Sequence, residues 1–191
     1  GAAGAAAVGA AFFFTTPDCG TTPATLESYS SAGGAPILFD TAGTRLATPV
    51  VRQKPDFVGP DGGNDTFLGF TLASAGVTGG KLNTTITECQ NDPSYPNFFG
   101  TSAATPHVAG IAAMMLQANP AVTPAQIFQA LRDSALPVGL RNSATVASSS
   151  PNFDSGYGFV QADAAFALMP QVAPAAPVLT LTAGSVIAGG S

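Results

Sequence analysis

Apolar positions fall along this chain in stretches of different rhythm. Ala5 to Phe14 (AAAVGAAFFF) is a continuous apolar run closed by Thr15, Thr16, Pro17 and Asp18. A run without alternation predicts an element buried on both faces: an interior parallel strand, with a helix segment as the reading that periodicity leaves open. From 15 to 66, Pro and Gly interrupt the pattern and leave short apolar pieces at Pro36–Phe39 and Asp56–Val58. These predict loops carrying short strands. Residues 59–100 include Gly59-Pro60-Asp61-Gly62-Gly63, Gly79-Gly80 and Asp92-Pro93 and keep no helical period, which predicts an irregular surface excursion.

The second half is more regular. Ala103–Ala118 (AATPHVAGIAAMMLQA) is apolar nearly all round, and a helix hydrophobic on every side belongs in the middle of a protein. Asn119-Pro120 ends it. Thr123-Pro124-Ala125-Gln126 then supplies a cap hydroxyl, a proline at the first helical position and a Gln at the third, predicting a capping-box start for a helix running to about Leu136. Ile127, Ala130, Leu131 and Ala135 share one face of it, with Gln129, Arg132 and Asp133 elsewhere, so it is an amphipathic surface helix. A Ser- and Asn-rich stretch leads to Gly156-Tyr157-Gly158 and a third helix, Val160–Leu168. Pro170–Pro177 reads as a Pro/Ala linker, and Val178–Thr182 as an alternating strand. One strand cannot fold alone, so 178–191 reads as the start of an appended β module after a domain spanning 1–169.

Composition narrows the possibilities. With 191 residues, 46% hydrophobic and 9% charged, the chain folds as one domain or slightly more and is not disordered. No apolar run approaches the roughly 20 residues of a membrane-spanning helix. Six scattered basic residues against eleven acidic ones give a net charge of -5 and no cationic stripe for nucleic acid. The neutral, Ser/Thr/Asn/Gly-rich surface is of a kind common among secreted proteins. The Ala-rich opening has no basic n-region and does not read as a signal peptide; the front of the chain reads as already cut. Cys19 and Cys89, the two cysteines, lack the spacing of a zinc or redox pair. They are either one disulfide, if the compartment is oxidising, or two unrelated buried thiols.

The chemistry-bearing segment is Gly100-Thr101-Ser102-Ala103-Ala104-Thr105-Pro106-His107-Val108-Ala109-Gly110. A serine placed where a glycine turn enters a buried helix has its hydroxyl at the positive end of the helix dipole, among unpaired N–H groups. That suits a nucleophile attacking a carbonyl, because the serine's own N–H can bond the developing oxyanion. The other reading of Thr101 or Ser102 is a plain helix cap. Pro106, in the first turn of the expected helix, costs few or no hydrogen bonds.

This stretch resembles the active-site serine motif of the subtilisin-like serine peptidases, the subtilases, over all eleven positions. Four more segments resemble the family in order and approximate spacing: Ala7-Val8-Gly9-Ala10, Tyr29-Ser30-Ser31-Ala32-Gly33, Lys54-Pro55-Asp56-Phe57-Val58-Gly59-Pro60 and Gly156-Tyr157-Gly158-Phe159-Val160. The related sedolisins share the Gly-Thr-Ser nucleophile, but Pro-His-Val-Ala-Gly after it is more like the subtilases proper. The resemblance implies an α/β fold with a mainly parallel sheet and helices on both faces, of which this chain is the C-terminal half. It implies a secreted serine endopeptidase acting on polypeptides, with Ser102 as nucleophile, Gly100 and Thr101 supporting the site, and His107 and Pro106 structural. With secretion implied, a Cys19–Cys89 disulfide is expected.

The family's Asp, His and oxyanion Asn lie ahead of the strand that opens this sequence, and no segment here resembles them. His107, the only histidine, does not replace the base: five residues along a helix turn a side chain by ~140° and raise it ~7.5 Å, against the ~3.2 Å reach a base needs. The polypeptide alone is therefore expected to be inactive. The alternative class is a non-catalytic scaffold or binding fragment. Asp61, Asn64 and Asp65 offer hard oxygen ligands but no complete calcium set, so a glycine-rich turn is the reading and no cofactor is implied. Asn97, Phe98 and Phe99 are either neighbours of the leaving-group side of the cleft, as the resemblance implies, or core aromatics under a loop.

Overall fold

The first apolar run forms a strand, Val8–Phe12 (β1), because its small residues let a neighbouring strand and a helix approach closely on its two sides. In this computed structural model, residues 2–74, 85–140, 145 and 150–170 are described. After β1 come β2 (Ala24–Thr25), β3 (Ile37–Phe39), β4 (Arg45–Val50), β5 (Phe57–Asp61), β6 (Gly63–Asn64) and β7 (Asn97–Phe98). The helix α1 (Thr101–Ala118) follows, then α2 (Pro124–Ser134), β8 (Val138–Gly139) and α3 (Ala162–Leu168).

β1 pairs in parallel with β5, Val8 opposite Phe57 through Phe12 opposite Asp61. β2 pairs in parallel with β8, and single bridges join Val58 to Phe159, Leu136 to Phe159 and Ala11 to Leu26. These links enclose a small cluster of Ala11, Ala24, Leu26, Val58, Val138 and Phe159. The opposite side of the β1–β5 pair carries the larger core, where Phe57 meets Val108 and Met115 of α1, Ile127, Ala130 and Leu131 of α2, and Ala165 of α3. The result is an α/β arrangement in which parallel strands and helices share one core.

Local signals explain the helix ends. Thr123 accepts from the Gln126 N–H while the Gln126 side chain accepts from the Thr123 N–H, completing the capping box at α2. The α2 face formed by Ile127, Ala130 and Leu131 is buried. Two expectations change. The apolar piece at 36–39, expected as one of the short strands among loops, is β3, and it pairs antiparallel with the unexpected β4 across a turn at Asp40, whose Oδ1 accepts from the N–H groups of Ala42 and Thr44. And α1 is not buried all round: Ala103, Ala104, Val108 and Met115 face the strands, whereas Met114 and Leu116 are 57% and 47% exposed. No described residue packs over that second apolar face, so its hydrophobic pattern is satisfied on one side only.

Cys19 and Cys89 each end a short 3-10 turn and are joined as a disulfide, with Cα atoms 5.6 Å apart. Of the linker and strand expected at 170–191, residues 171–191 lie outside the described residues.

Candidate active site around Ser102

The site is built from the end of β5, from β7 and from the start of α1. β6 pairs antiparallel with β7, with Gly63 opposite Phe98 and Asn64 opposite Asn97. Buried Asn97 fixes this junction: its Nδ2 donates to the Gly62 carbonyl (2.8 Å) and to Asn91 Oδ1 (2.6 Å), and its N–H to the Phe70 carbonyl (2.8 Å). The chain thus reaches Gly100 along a course set by the strand that precedes it.

Gly100 has φ 137° and ψ 155°, a left-handed backbone setting in which a side chain is strained, and a Cβ here would also lie 3.0 Å from Ser102 Oγ. Its carbonyl accepts from the N–H groups of Ala103 (2.9 Å) and Ala104 (3.1 Å), which closes the first turn of α1. Ser102 is exposed in that turn, and its N–H precedes the first intrahelical bond of the ladder. Hydroxyl and N–H are therefore together at the positive end of an 18-residue helix.

The helix is held against the sheet by an absence of side chain. A Cβ at Gly59 would meet the Ala104 carbonyl oxygen and Val108 Cγ2, each at 2.9 Å, so β5 and α1 touch backbone to backbone just below the serine. Pro106 is the sixth residue of α1 rather than part of its first turn, because the helix begins at Thr101. Its missing N–H removes the bond that would otherwise reach the Ser102 carbonyl.

His107 is exposed, and its Nδ1 lies 2.8 Å from the Ala103 carbonyl. A carbonyl only accepts, so Nδ1 carries the proton and the ring is tied to its own helix. Asp61, Asn64 and Asp65 are used separately. Asp65 Oδ1 accepts from the N–H groups of Phe67 and Leu68, and Asn64 bonds the backbone of Asp92 through both ends of its amide. Asp61 points instead at the serine loop. Among the described residues no cluster of three or more His, Cys, Asp or Glu is arranged to hold a metal ion.

Asp61, weighed from the sequence only as a calcium ligand, has a place behind the serine loop that sequence reasoning missed. It is fully buried, and its Oδ2 accepts from the Gly100 N–H at 2.7 Å and from the Tyr29 hydroxyl. Burial pushes its carboxyl up; the bonds from Tyr29 and Gly100 and the nearby His107 oppose that shift. Tyr29 is raised by burial and by its bond to Asp61, and Glu27 by burial and by the charge of Asp61. The available signal was a carboxylate ending the apolar strand piece Phe57-Val58-Gly59-Pro60.

Phe99 stacks on Phe70 with centroids 5.8 Å apart and leans on Phe12 at 5.1 Å, so the aromatic before Gly100 belongs to a cluster flanking the site. On the other flank, Thr101 lines a cavity of about 350 Å³ with Val8, Gly9, Ser31–Ala35 and Lys54.

A parallel-stranded α/β core thus presents an exposed serine at the first turn of a helix. The subtilase family model matches residues 37–160, more than half of the chain, and the chain belongs to that family. The match includes the Lys54-Pro55-Asp56 segment, the Ser102 motif and Gly156-Tyr157-Gly158; the β1 segment and the turn at Tyr29–Gly33 precede it.

A subtilisin-like protease of Arabidopsis thaliana is 34% identical over 110 residues, covering 54% of this chain and 12% of that protein. Alkaline elastase YaB of a Bacillus species is 49% identical over 45 residues, 24% of this chain and 12% of that protein. Fervidolysin of Fervidobacterium pennivorans, described as a keratinolytic enzyme related to subtilisin, superposes with a TM-score of 0.48 at 26% identity, covering 86% of this chain and 19% of that one. The chain thus spans less than a fifth of each of these relatives.

Proposed function

We propose that the protein is a secreted serine endopeptidase in which Ser102 is the nucleophile. The observation that carries this reading is the position of Ser102, exposed at the first turn of α1 behind the left-handed Gly100. Ser102 Oγ attacks the peptide carbonyl and forms the tetrahedral adduct, while a histidine takes its proton and later gives it to the leaving amine. The Ser102 N–H and an Asn side chain hold the oxyanion, and an Asp orients the histidine. The base comes from outside residues 1–191. His107, the one histidine within them, has its Nδ1 on the Ala103 carbonyl and is separated from Ser102 by more than a helical turn. No cofactor enters this scheme. An extracellular setting fits the Cys19–Cys89 bond and the low charge content.

The test is labelling by an active-site fluorophosphonate in the natural protein that carries this chain, with hydrolysis of a denatured protein substrate measured alongside. Ser102 is expected to carry the label, and Ser102→Ala to lose it. In subtilisin, a member of this family, loss of the nucleophile costs about 2 × 10⁶ in kcat, and a loss of that order is expected here. Full activity in Ser102→Ala would refute the reading and leave a scaffold or binding role.

A further inference from the structure

We propose that Asp61 is a positioning residue for Ser102, its carboxylate fixing the Gly100 peptide from which the nucleophile turn hangs. The proposal rests on the peptidase reading above.

Asp61 is the last residue of β5 and is 0% exposed. Burying a carboxylate is costly unless its oxygens are bonded, and only one of the two is: Oδ1 is buried without a hydrogen-bond partner among the described residues. A carboxylate kept in such a place with half of its capacity unused calls for a reason beyond packing. The other oxygen supplies it, since Oδ2 takes the Gly100 N–H at 2.7 Å and the Tyr29 hydroxyl.

Gly100 has no side chain, and α1 accordingly begins without a side-chain cap bond. The direction of its first turn is instead fixed from the sheet. Asp61 holds the N–H of Gly100, and the Gly100 carbonyl holds the N–H groups of Ala103 and Ala104. Two residues beyond Gly100 stands Ser102, so rotation of that one peptide would turn both its hydroxyl and its N–H. Parallel ties keep the donor strand aligned, with Gly62 N–H on the Phe98 carbonyl (2.8 Å) and Asn97 Nδ2 on the Gly62 carbonyl (2.8 Å). Tyr29, reaching in from the segment after β2, fixes the rotation of the carboxylate. The other ionisable groups acting on this cluster are Glu27 and, from α1, His107.

The experiment measures kcat and KM on a peptide substrate, together with thermal unfolding, in the natural protein and in Asp61→Ala, Asp61→Asn and Tyr29→Phe. A misplacement of about 1 Å costs up to ~10²-fold in rate, so Asp61→Ala is expected to lower kcat by about that factor with KM within about threefold. Asp61→Asn keeps an oxygen for the Gly100 N–H and is expected to restore kcat to within about tenfold of the parent. Tyr29→Phe removes one hydroxyl and is expected to lower kcat several-fold, a result that stands if Asp61→Ala fails to fold. Unchanged kcat in folded Asp61→Ala, an Asn variant as impaired as the Ala variant, or a loss confined to KM would overturn the proposal. If the parent protein itself neither hydrolyses peptides nor labels at Ser102, the peptidase reading fails first and takes this proposal with it.

Discussion

Gly59 of β5 and Ala104 of α1 touch backbone to backbone: a Cβ on Gly59 would stand 2.9 Å from the Ala104 carbonyl oxygen. Ala104 is two residues past Ser102 and fully buried, so this contact sets how far α1 stands from the sheet. Any side chain at 59 must lift the helix. Gly59→Ala is expected to lower stability by about 1–3 kcal/mol, the usual cost of forcing one extra carbon into a packed interior. The first turn of α1 moves with the helix, and fluorophosphonate labelling of Ser102 should slow in the same variant. Thermal unfolding and labelling rate together check this, and an unchanged labelling rate would show that the turn is held independently of the helix body.

Gly100 is constrained by conformation and by space. At φ 137° a β-carbon is strained, and it would lie 3.0 Å from Ser102 Oγ. Gly100→Ala is expected to cost roughly 1–3 kcal/mol of stability and to lower the labelling rate at least tenfold. Comparison with Gly43→Ala provides the control. Gly43 also has positive φ but nothing within 4 Å of an added Cβ, so it should lose stability without losing labelling.

What was legible in the sequence was what local rules decide. Thr123 and Gln126 announce the start of α2, because a capping box is complete within four residues. Ser102 is legible for the same reason, as part of a contiguous motif. The tie of Asp61 to the serine loop was not, because its partners Tyr29 and Gly100 are 32 and 39 residues away, and a Gly-Pro-Asp-Gly-Gly string reads locally as a turn. The apolar pattern of α1 gave its helicity correctly and its surroundings incorrectly. Met114 and Leu116 are as apolar as Met115, and periodicity cannot say that only Met115 meets the β1–β5 core within this chain. The β3–β4 hairpin escaped notice because most of its strand residues are exposed and carry no alternation toward a core.

Cys19 and Cys89 close a loop across a separation of 70 residues. In the chain-entropy model such a link restricts the unfolded chain by about 4 kcal/mol. Thiol titration of the unfolded, non-reduced protein is expected to find no free thiol. Replacing both cysteines by Ser should lower the unfolding temperature by several degrees, leaving Ser102 labelling at moderate temperature intact. Two titratable thiols would disprove the bond.

The buried Asp61 and the half-buried Glu27 give the protein a characteristic dependence on pH. Asp61 is raised by burial, and Glu27 by burial and by the charge of Asp61, so each holds its proton more tightly folded than unfolded. The folded state then binds more protons than the unfolded one across the window that opens near the ordinary carboxylate values of about 4 and extends up to the raised ones. Stability falls with pH wherever the folded state binds more protons. The contribution of this pair is therefore fully present below about pH 4 and is lost as pH rises through the folded values. Asp61→Asn removes one titrating group and also the charge that raises Glu27. Urea unfolding across pH 3.5–8 should show the Asn variant gaining on the parent as pH rises, since only the parent must bury a carboxylate with one oxygen unbonded among the described residues. Were the parent to gain on the variant instead, the Tyr29 and Gly100 bonds would outweigh burial, and the raised acid at the foot of α1 would be wrong.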